Sequence, residues 1–305
     1  MMLLLTNIET LTPALKKFTF TAPDAAPLPH AGAGVHVVVE IPGPSRKWKN
    51  AYSLVSSPES TASYQIIVRR VEKSRGGSAW LHDHAKQGDL LEVGMPQNLF
   101  APPRRAPRHL LLSAGIGLTP FLSYMHVPGL AFELHHCCKV EDAGAFRALL
   151  PQAGNITLHT SRATLDLHAL LSRQKLDTHI SICGPEAFMD FVLATAAQLG
   201  WPAAKIHKES FGGATGGKPF VAHLRRSNLT LNVGEEESLL DAMEAAGLNP
   251  PCLCRGGACG ECKVALLEGV ADHHDHFLSP AERAANNAIM ICVSRAQTPE
   301  LVLDF

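Results

Sequence analysis

The sequence predicts a multidomain chain: an antiparallel β-barrel, an α/β domain on a parallel sheet, and an α+β domain of β-grasp plan. Three observations predict it. The N-terminal third is made of short apolar or alternating runs punctuated by proline and glycine clusters. In the middle third, strand-like and helix-like segments alternate. The C-terminal third sets one capped helix among strands, beside a glycine-rich loop crowded with cysteine.

The 305 residues suit two or three domains, and 46% hydrophobic residues suffice for substantial cores. A formal net charge of −1 gives no field favouring nucleic acid or an anionic membrane, and 6% aromatics argue against base-stacking surfaces. No apolar run reaches the length of a membrane span. The start, Met1 to Glu9, lacks the basic flank of a signal peptide and reads as a first strand. Eight cysteines without such a signal suggest a reducing, cytoplasmic setting and cofactor chemistry.

Residues 1–104 carry the barrel. Leu3–Ile8, Leu15–Phe20, Val35–Ile41, Tyr64–Arg69 and Leu90–Val93 are its expected strands. Within this region Asn50-Ala51-Tyr52-Ser53 resembles the R-x-Y-S segment of the ferredoxin–NADP reductase superfamily. That resemblance implies a flavin held by strand backbone, tyrosine and serine. Asn50 stands where the family has arginine, and Lys49, Arg69 and Arg70 are candidates to supply the missing charge. Arg75-Gly76-Gly77-Ser78 then opens a helix, whose free N–H groups suit a flavin phosphate.

Residues 105–212 form the α/β domain, after a proline-rich linker at Pro102–Pro107. Its expected strands are His109–Ser113, Ala131–Cys137, Asn155–His159 and His179–Cys183. Helices are expected at Gly144–Leu150, Leu165–Ser172 and Glu186–Leu199. The first strand runs into Gly115-Ile-Gly117-Leu-Thr119-Pro120. This resembles the G-x-G-x-T-P turn of the same superfamily, which receives NAD(P)H; glycines allow backbone approach and the helix start accepts phosphate charge. Cys183-Gly184-Pro185 resembles the turn beside the nicotinamide. Ser161-Arg162 falls where the superfamily reads the adenosine ribose. A Ser-Arg pair favours NADPH, whereas relatives with this domain order prefer NADH, and NADH is the expectation. Phe211, in Lys208-Glu209-Ser210-Phe211-Gly212, matches an aromatic that lies against the flavin region in the family.

A glycine-rich linker covers 213–219 and the last domain 220–305. Phe220–Leu224 and Leu229–Val233 alternate as a hairpin, Ser238–Ala246 is a helix capped by Ser238, and Lys263–Leu267, Ile289–Val293 and Leu301–Asp304 are further strands. Between them Cys254, Cys259 and Cys262 read C-x4-C-x2-C, with Cys292 standing alone downstream. This spacing is the plant-type [2Fe–2S] signature. Glycines 256, 257 and 260 let three thiolates converge and turn N–H groups toward sulfur. Zinc is the competing reading, but it usually takes paired C-x2-C sets or a Cys/His mixture. Cys252 is expected to be a small buried residue rather than a ligand. The histidines in Asp272-His-His-Asp-His276 are expected to be solvated.

The order of these domains closely resembles the phthalate dioxygenase reductase family over essentially the whole chain. The resemblance implies FMN rather than FAD, and a Rieske-type oxygenase, hydroxylating an aromatic ring or demethylating, as electron acceptor. Plant-type clusters lie near about −400 mV and Rieske centres at about −150 mV or above. That gap of roughly 250 mV favours onward transfer by about four decades, near 6 kcal/mol. Two other outcomes stay open: the same electron chain feeding a haem monooxygenase, or a redox sensor without useful turnover.

Overall fold

A computed structural model describes residues 1–43, 47–71, 76–211 and 216–305, with the backbone alone at Arg162. Arg75, part of the linker at 213–219 and the Arg162 side chain lie outside the described residues. The chain divides into two compact units, one mainly before Phe211 and one mainly after it.

The larger unit holds two sheets. In the first, Trp48–Ser53, Val35–Ile41, Leu90–Val93, Met2–Thr12, Leu15–Thr21 and Tyr64–Arg69 are neighbours in that order. A bridge from Leu54 to Ile66 joins its two ends, which closes the barrel and leaves no long open edge. The first strand is longer than expected because register shifts at Leu5/Asn7 and Thr10/Thr12 let it bend past its partner.

The second sheet is wholly parallel. Its order is Ile156–His159, Phe132–Cys137, Arg108–Ala114, Thr178–Cys183, Ile206–Glu209. The central strand, nearly continuous in buried apolar residues, is covered on both faces. Strand order reverses between Arg108–Ala114 and Thr178–Cys183. A crevice for ligands therefore opens at the carboxyl ends of these two strands. The fifth strand, Ile206–Glu209, was not anticipated: it is four residues long and half polar. Barrel and parallel sheet share one core, in which Leu15, Ala33, Ile67 and Phe100 cluster with Leu111, Phe121 and Leu134. Tyr124 Oη donates to the Phe100 carbonyl at 2.6 Å, and Gly34 N–H donates to Ser123 Oγ at 2.9 Å. Arg69 bonds Asp142 at 2.5 Å, which ties the barrel strand Tyr64–Arg69 to the helix Val140–Leu149.

The smaller unit carries a five-stranded mixed sheet, ordered Leu229–Val233, Phe220–Leu224, Glu300–Leu303, Lys263–Glu268, Ala288–Met290. Phe220–Leu224 and Glu300–Leu303 pair in parallel, and the other pairs are antiparallel. The helix Leu239–Ala245 packs through Leu239, Leu240 and Met243 into the core with Ile289, Ile291 and Leu301. Ser238 caps it in a reciprocal box with Asp241. The strand expected through Val293 ends at Met290, since Val293 and Ser294 N–H groups fold back onto the Met290 carbonyl. This turn carries Cys292 off the sheet.

Arg295 is 2% exposed and organises the far side of this unit. Its guanidinium donates to the carbonyls of Glu237 at 2.5 Å, Gly234 at 2.8 Å and Lys218 at 3.0 Å, and lies over the Phe220 ring.

Candidate functional site

The cysteine loop is shaped by backbone. Arg255, Gly257 and Gly260 take φ of 51°, 71° and 83°. At Gly260 a Cβ would lie 2.3 Å from the Phe277 ring, so only glycine fits. Gly256 and Ala258 each aim an N–H at Cys254 Sγ from 3.4 Å. Arg255, 7% exposed, fastens the loop to the helix through Asp241 at 3.3 Å and Glu244. Behind it, the Gly257 carbonyl accepts from His276 N–H at 2.9 Å.

The segment Asp272–His276 is therefore not simply solvated. Asp275 is 1% exposed and accepts from the N–H groups of Phe277 at 3.1 Å and Leu278 at 2.8 Å. It is a structural brace, and sequence reading missed it because a buried aspartate looks like any acidic loop residue.

The thiols fall into two sets. Cys254 lies beside Cys259, and Cys262 beside Cys292, all as free thiols. The Cys254 hydrogen bond draws the Cys259 pKa down to about 5. Among the described residues no three or more His, Cys, Asp or Glu side chains gather round a single ion position. Two thiols and two thiols, with amides turned inward, is a donor set that fits a dinuclear cluster. Cys252 is half-buried and packs against the core cluster that includes Cys262 and Cys292.

In the larger unit the two predicted turns meet at the strand-order reversal. Gly115 has φ of 55°, and Thr119 Oγ1 donates to the Ile116 carbonyl at 3.0 Å at the start of the helix Thr119–Tyr124. A Cβ on Gly117 would stand 2.3 Å from the Cys183 carbonyl oxygen, and one on Gly184 would stand 3.1 Å from Ala114 Cβ. The turns thus touch backbone to backbone. An apolar pocket beside them is lined by Ala114, Cys137, Leu165, Pro185, Phe188 and Phe191. Gly117→Ala is expected to cost about 1–3 kcal/mol of stability by overpacking and to raise the KM for NADH roughly tenfold. Thermal unfolding and steady-state kinetics check this; an unchanged KM would separate the turn from nucleotide binding.

Cys183 is fully buried, and burial holds its thiol well above the usual range. It pairs in register with Glu209 on the unforeseen strand. The Glu209 carboxyl is pushed up to about 8 by burial, and its Oε2 has no hydrogen-bond partner among the described residues. Tyr124 is raised by burial first and then by the Glu209 charge. The signal available in sequence was an acidic residue ending a strand just before Phe211.

On the barrel, Asn50 Nδ2 donates to Tyr52 Oη at 3.0 Å. Gly77 lies against Asn50, where a Cβ would meet Nδ2 at 2.6 Å. Ser53 is buried and its Oγ has no hydrogen-bond partner among the described residues, which fits a ligand acceptor or donor at that strand. Gly76 has φ of 117° before the helix Gly77–Asp83, and Ser78 Oγ accepts from Val71 N–H at 3.3 Å. The cations considered as substitutes for arginine have acidic neighbours: Lys49 lies 3.8 Å from Glu40, Arg70 is 3.0 Å from Asp83, and Arg69 is on Asp142. Ser161 is exposed and caps a short turn, its Oγ accepting from Ala163 N–H at 3.2 Å. Phe211 is 42% exposed.

A closed antiparallel barrel, a parallel sheet with glycine turns at its switch point and a thiol loop on a β-grasp define an NAD(P)H-dependent iron–sulfur oxidoreductase. The 2Fe-2S iron-sulfur cluster binding domain model matches residues 222–297. The chain is 42% identical over 303 residues to the heme-dependent oxidative N-demethylase beta subunit of Ectopseudomonas mendocina (strain ymp), covering 97% of this chain and 96% of that one. It is 42% identical over 308 residues to the carnitine monooxygenase reductase subunit of Escherichia coli (strain K12), covering 98% and 96%. The solved structure of phthalate dioxygenase reductase, titled a modular structure for electron transfer from pyridine nucleotides to [2Fe-2S], matches with a TM-score of 0.85. It is 33% identical, and the match covers 100% of this chain and 98% of that one. The chain belongs to the phthalate dioxygenase reductase family.

Proposed function

We propose that this chain is the reductase component of a multicomponent oxygenase, drawing electrons from NADH and delivering them to a Rieske-type partner. When bound, FMN and a [2Fe–2S] cluster supply the conversion of one two-electron hydride into single electrons. The chain's residues hold and orient these groups. Cys254 with Cys259, and Cys262 with Cys292, are the iron ligands. Asn50, Ala51, Tyr52, Ser53 and Gly76–Ser78, with Arg75, hold the flavin in the barrel, residues 1–104. Gly115, Gly117, Thr119 and Pro120, with Cys183–Pro185, seat the nicotinamide end in residues 105–212, and Ser161 and Arg162 meet the ribose. Arg69 acts there through its tie to Asp142, and Phe211 screens the flavin region. Residues 220–305 carry the cluster, after the linker at 213–219.

The observation that supports this most is that one chain contains both a nucleotide crevice at a strand-order reversal and a loop with thiols in two pairs. All eight cysteines are free, which suits a cytoplasmic setting. Among the described residues no helix is long and apolar enough to cross a membrane.

The test is NADH oxidation by the purified holoprotein, first with cytochrome c and then with a Rieske oxygenase and its substrate. Coupled product formation is the expected result. A holoprotein that passes no electrons from NADH would instead be a sensor. A second acceptor has a specific observation behind it, since one 42% identical relative is, by its name, heme-dependent. A faster single-turnover oxidation of the reduced protein by a haem monooxygenase than by a Rieske oxygenase would select it.

A further inference from the structure

Behind the turn that carries Ser161 runs an unbroken line of hydrogen bonds. It begins at Glu133, whose Oε1 lies 3.0 Å from His135 Nε2. His135 Nδ1 lies 2.9 Å from His159 Nε2, and the two rings are stacked with centroids 5.2 Å apart. His159 Nδ1 lies 3.2 Å from Thr164 Oγ1. Thr164 Oγ1 in turn donates to the Ser161 carbonyl at 2.7 Å, and the Thr164 N–H reaches the same carbonyl at 3.2 Å. Both histidines are buried, in the carboxyl-terminal halves of neighbouring parallel strands.

The line has an acceptor at each end. The Ser161 carbonyl cannot donate. At the other end, burial works against the charge of Glu133, but His135, Gln174 and Arg173 outweigh it and hold the carboxyl below the usual carboxylate range. Gln174 donates to Oε2 at 2.9 Å, and Arg173 bonds Oε1. Between these ends stand four hydrogen bonds, and each needs a proton. One N–H from each neutral imidazole and the Thr164 O–H supply only three. With every bond made, the histidine pair therefore holds one further proton, on the ring beside Glu133. Burial, and then the charge of His135, keep the His159 pKa below its ordinary value. His159 is thus neutral and donates from Nδ1 to Thr164.

We propose that Glu133, His135 and His159 are positioning residues for the nucleotide: their shared proton fixes the direction of the Thr164 hydroxyl, and with it the turn at 161–164 in the form that takes the adenosine ribose. This rests on the reading that Ser161 and Arg162 meet that ribose. Ser161 Oγ accepts from Ala163 N–H at 3.2 Å, which leaves its own hydrogen for a ribose oxygen. Without a donor at His159 Nδ1, the Thr164 hydroxyl turns to the ring and releases the Ser161 carbonyl, and the turn loses its set.

The experiment uses the full-length holoprotein. Thr164→Val removes the hydroxyl at nearly constant volume, and His159→Leu removes both ring nitrogens. Each is expected to raise the KM for NADH about tenfold, with kcat within about twofold of wild type. His159→Asn keeps a donor at the Nδ1 position and is expected to return the KM to within about threefold of wild type. Thr164 is exposed, so Thr164→Val decides even where His159→Leu folds poorly. A KM within about twofold of wild type in Thr164→Val, or an equal rise in His159→Asn and His159→Leu, overturns the proposal. The proton has its own readout. Nitrogen NMR of isotope-labelled histidines is expected to show one imidazolium in the wild type that is missing from Glu133→Gln, because glutamine can donate to His135 Nε2 and complete the line without it. Identical spectra overturn the proton count and the proposal with it. Ser161→Ala tests the underlying reading: an unchanged KM there overturns the ribose contact and everything built on it, whereas a raised KM beside an unaffected Thr164→Val removes the relay alone.

Discussion

Cys259→Ala is expected to leave NADH-driven reduction of a two-electron dye within about twofold of wild type and to cut cytochrome c reduction at least roughly 100-fold. The two readouts separate because the residues proposed for NADH and flavin lie before Phe211, whereas the single-electron outlet lies after it. Cys259 lies beside Cys254. Removing Cys259 therefore leaves one iron position with a single thiolate. Other ties hold the loop in place. Arg255 bonds Asp241 and Glu244, and His276 N–H bonds the Gly257 carbonyl, all without it. Iron and sulfide analysis beside far-UV circular dichroism should show a folded chain without its cluster. Cytochrome c reduction close to the wild-type rate in that variant would mean that electrons leave by a route other than this loop.

How much of this was legible beforehand follows from what a sequence encodes locally. The cysteine spacing and the two glycine turns were readable, because each is set by a few adjacent residues with special backbone or donor chemistry. Their convergence was readable only as family order. The contact of Gly117 with the Cys183 carbonyl joins positions far apart in the chain and is fixed by the parallel register of their strands. Pairwise charge was the weakest point. Arg69 is one of three candidates for the charge that Asn50 lacks, and its guanidinium sits on Asp142, which also accepts from Thr12 Oγ1 at 3.3 Å. Charge alone does not say which of several acids a long side chain will reach.

Two short elements escaped for different reasons. Ile206–Glu209 is a strand because its backbone completes the edge of the parallel sheet, and its own polar residues do not advertise it. Pro280–Ala285, in contrast, carried a readable start: Ser279 and Glu282 form a capping box with proline in the first turn.

Glu209→Gln is expected to leave stability unchanged near pH 5 and to raise it by a few kcal/mol at pH 8.5. The free carboxyl ionises near 4.5 in the unfolded chain, and burial pushes it up to about 8 in the folded protein. Between those values the folded state holds a proton that the unfolded state has released. Stability therefore falls as pH rises through the window, by up to about 1.4 kcal/mol per pH unit, and levels off above pH 8. Below pH 4.5 both states are protonated and the group contributes no pH dependence. Glutamine keeps the shape and stays neutral, so the loss disappears in the variant. The unpartnered Oε2 makes the charged form costly, since no donor among the described residues meets it. The neighbours of Glu209 give the substitution a functional readout as well. Cys183 stands opposite it in register, and Tyr124 is raised in part by its charge. The rate of flavin reduction by NADH should show an inflection near pH 8 in the wild type, and a flat profile there in the variant. Urea unfolding followed by release of flavin fluorescence, across pH 5 to 9, measures the stability arm. Parallel curves for the two proteins over that range would show that the carboxyl titrates as an ordinary exposed acid and that its burial has no such consequence.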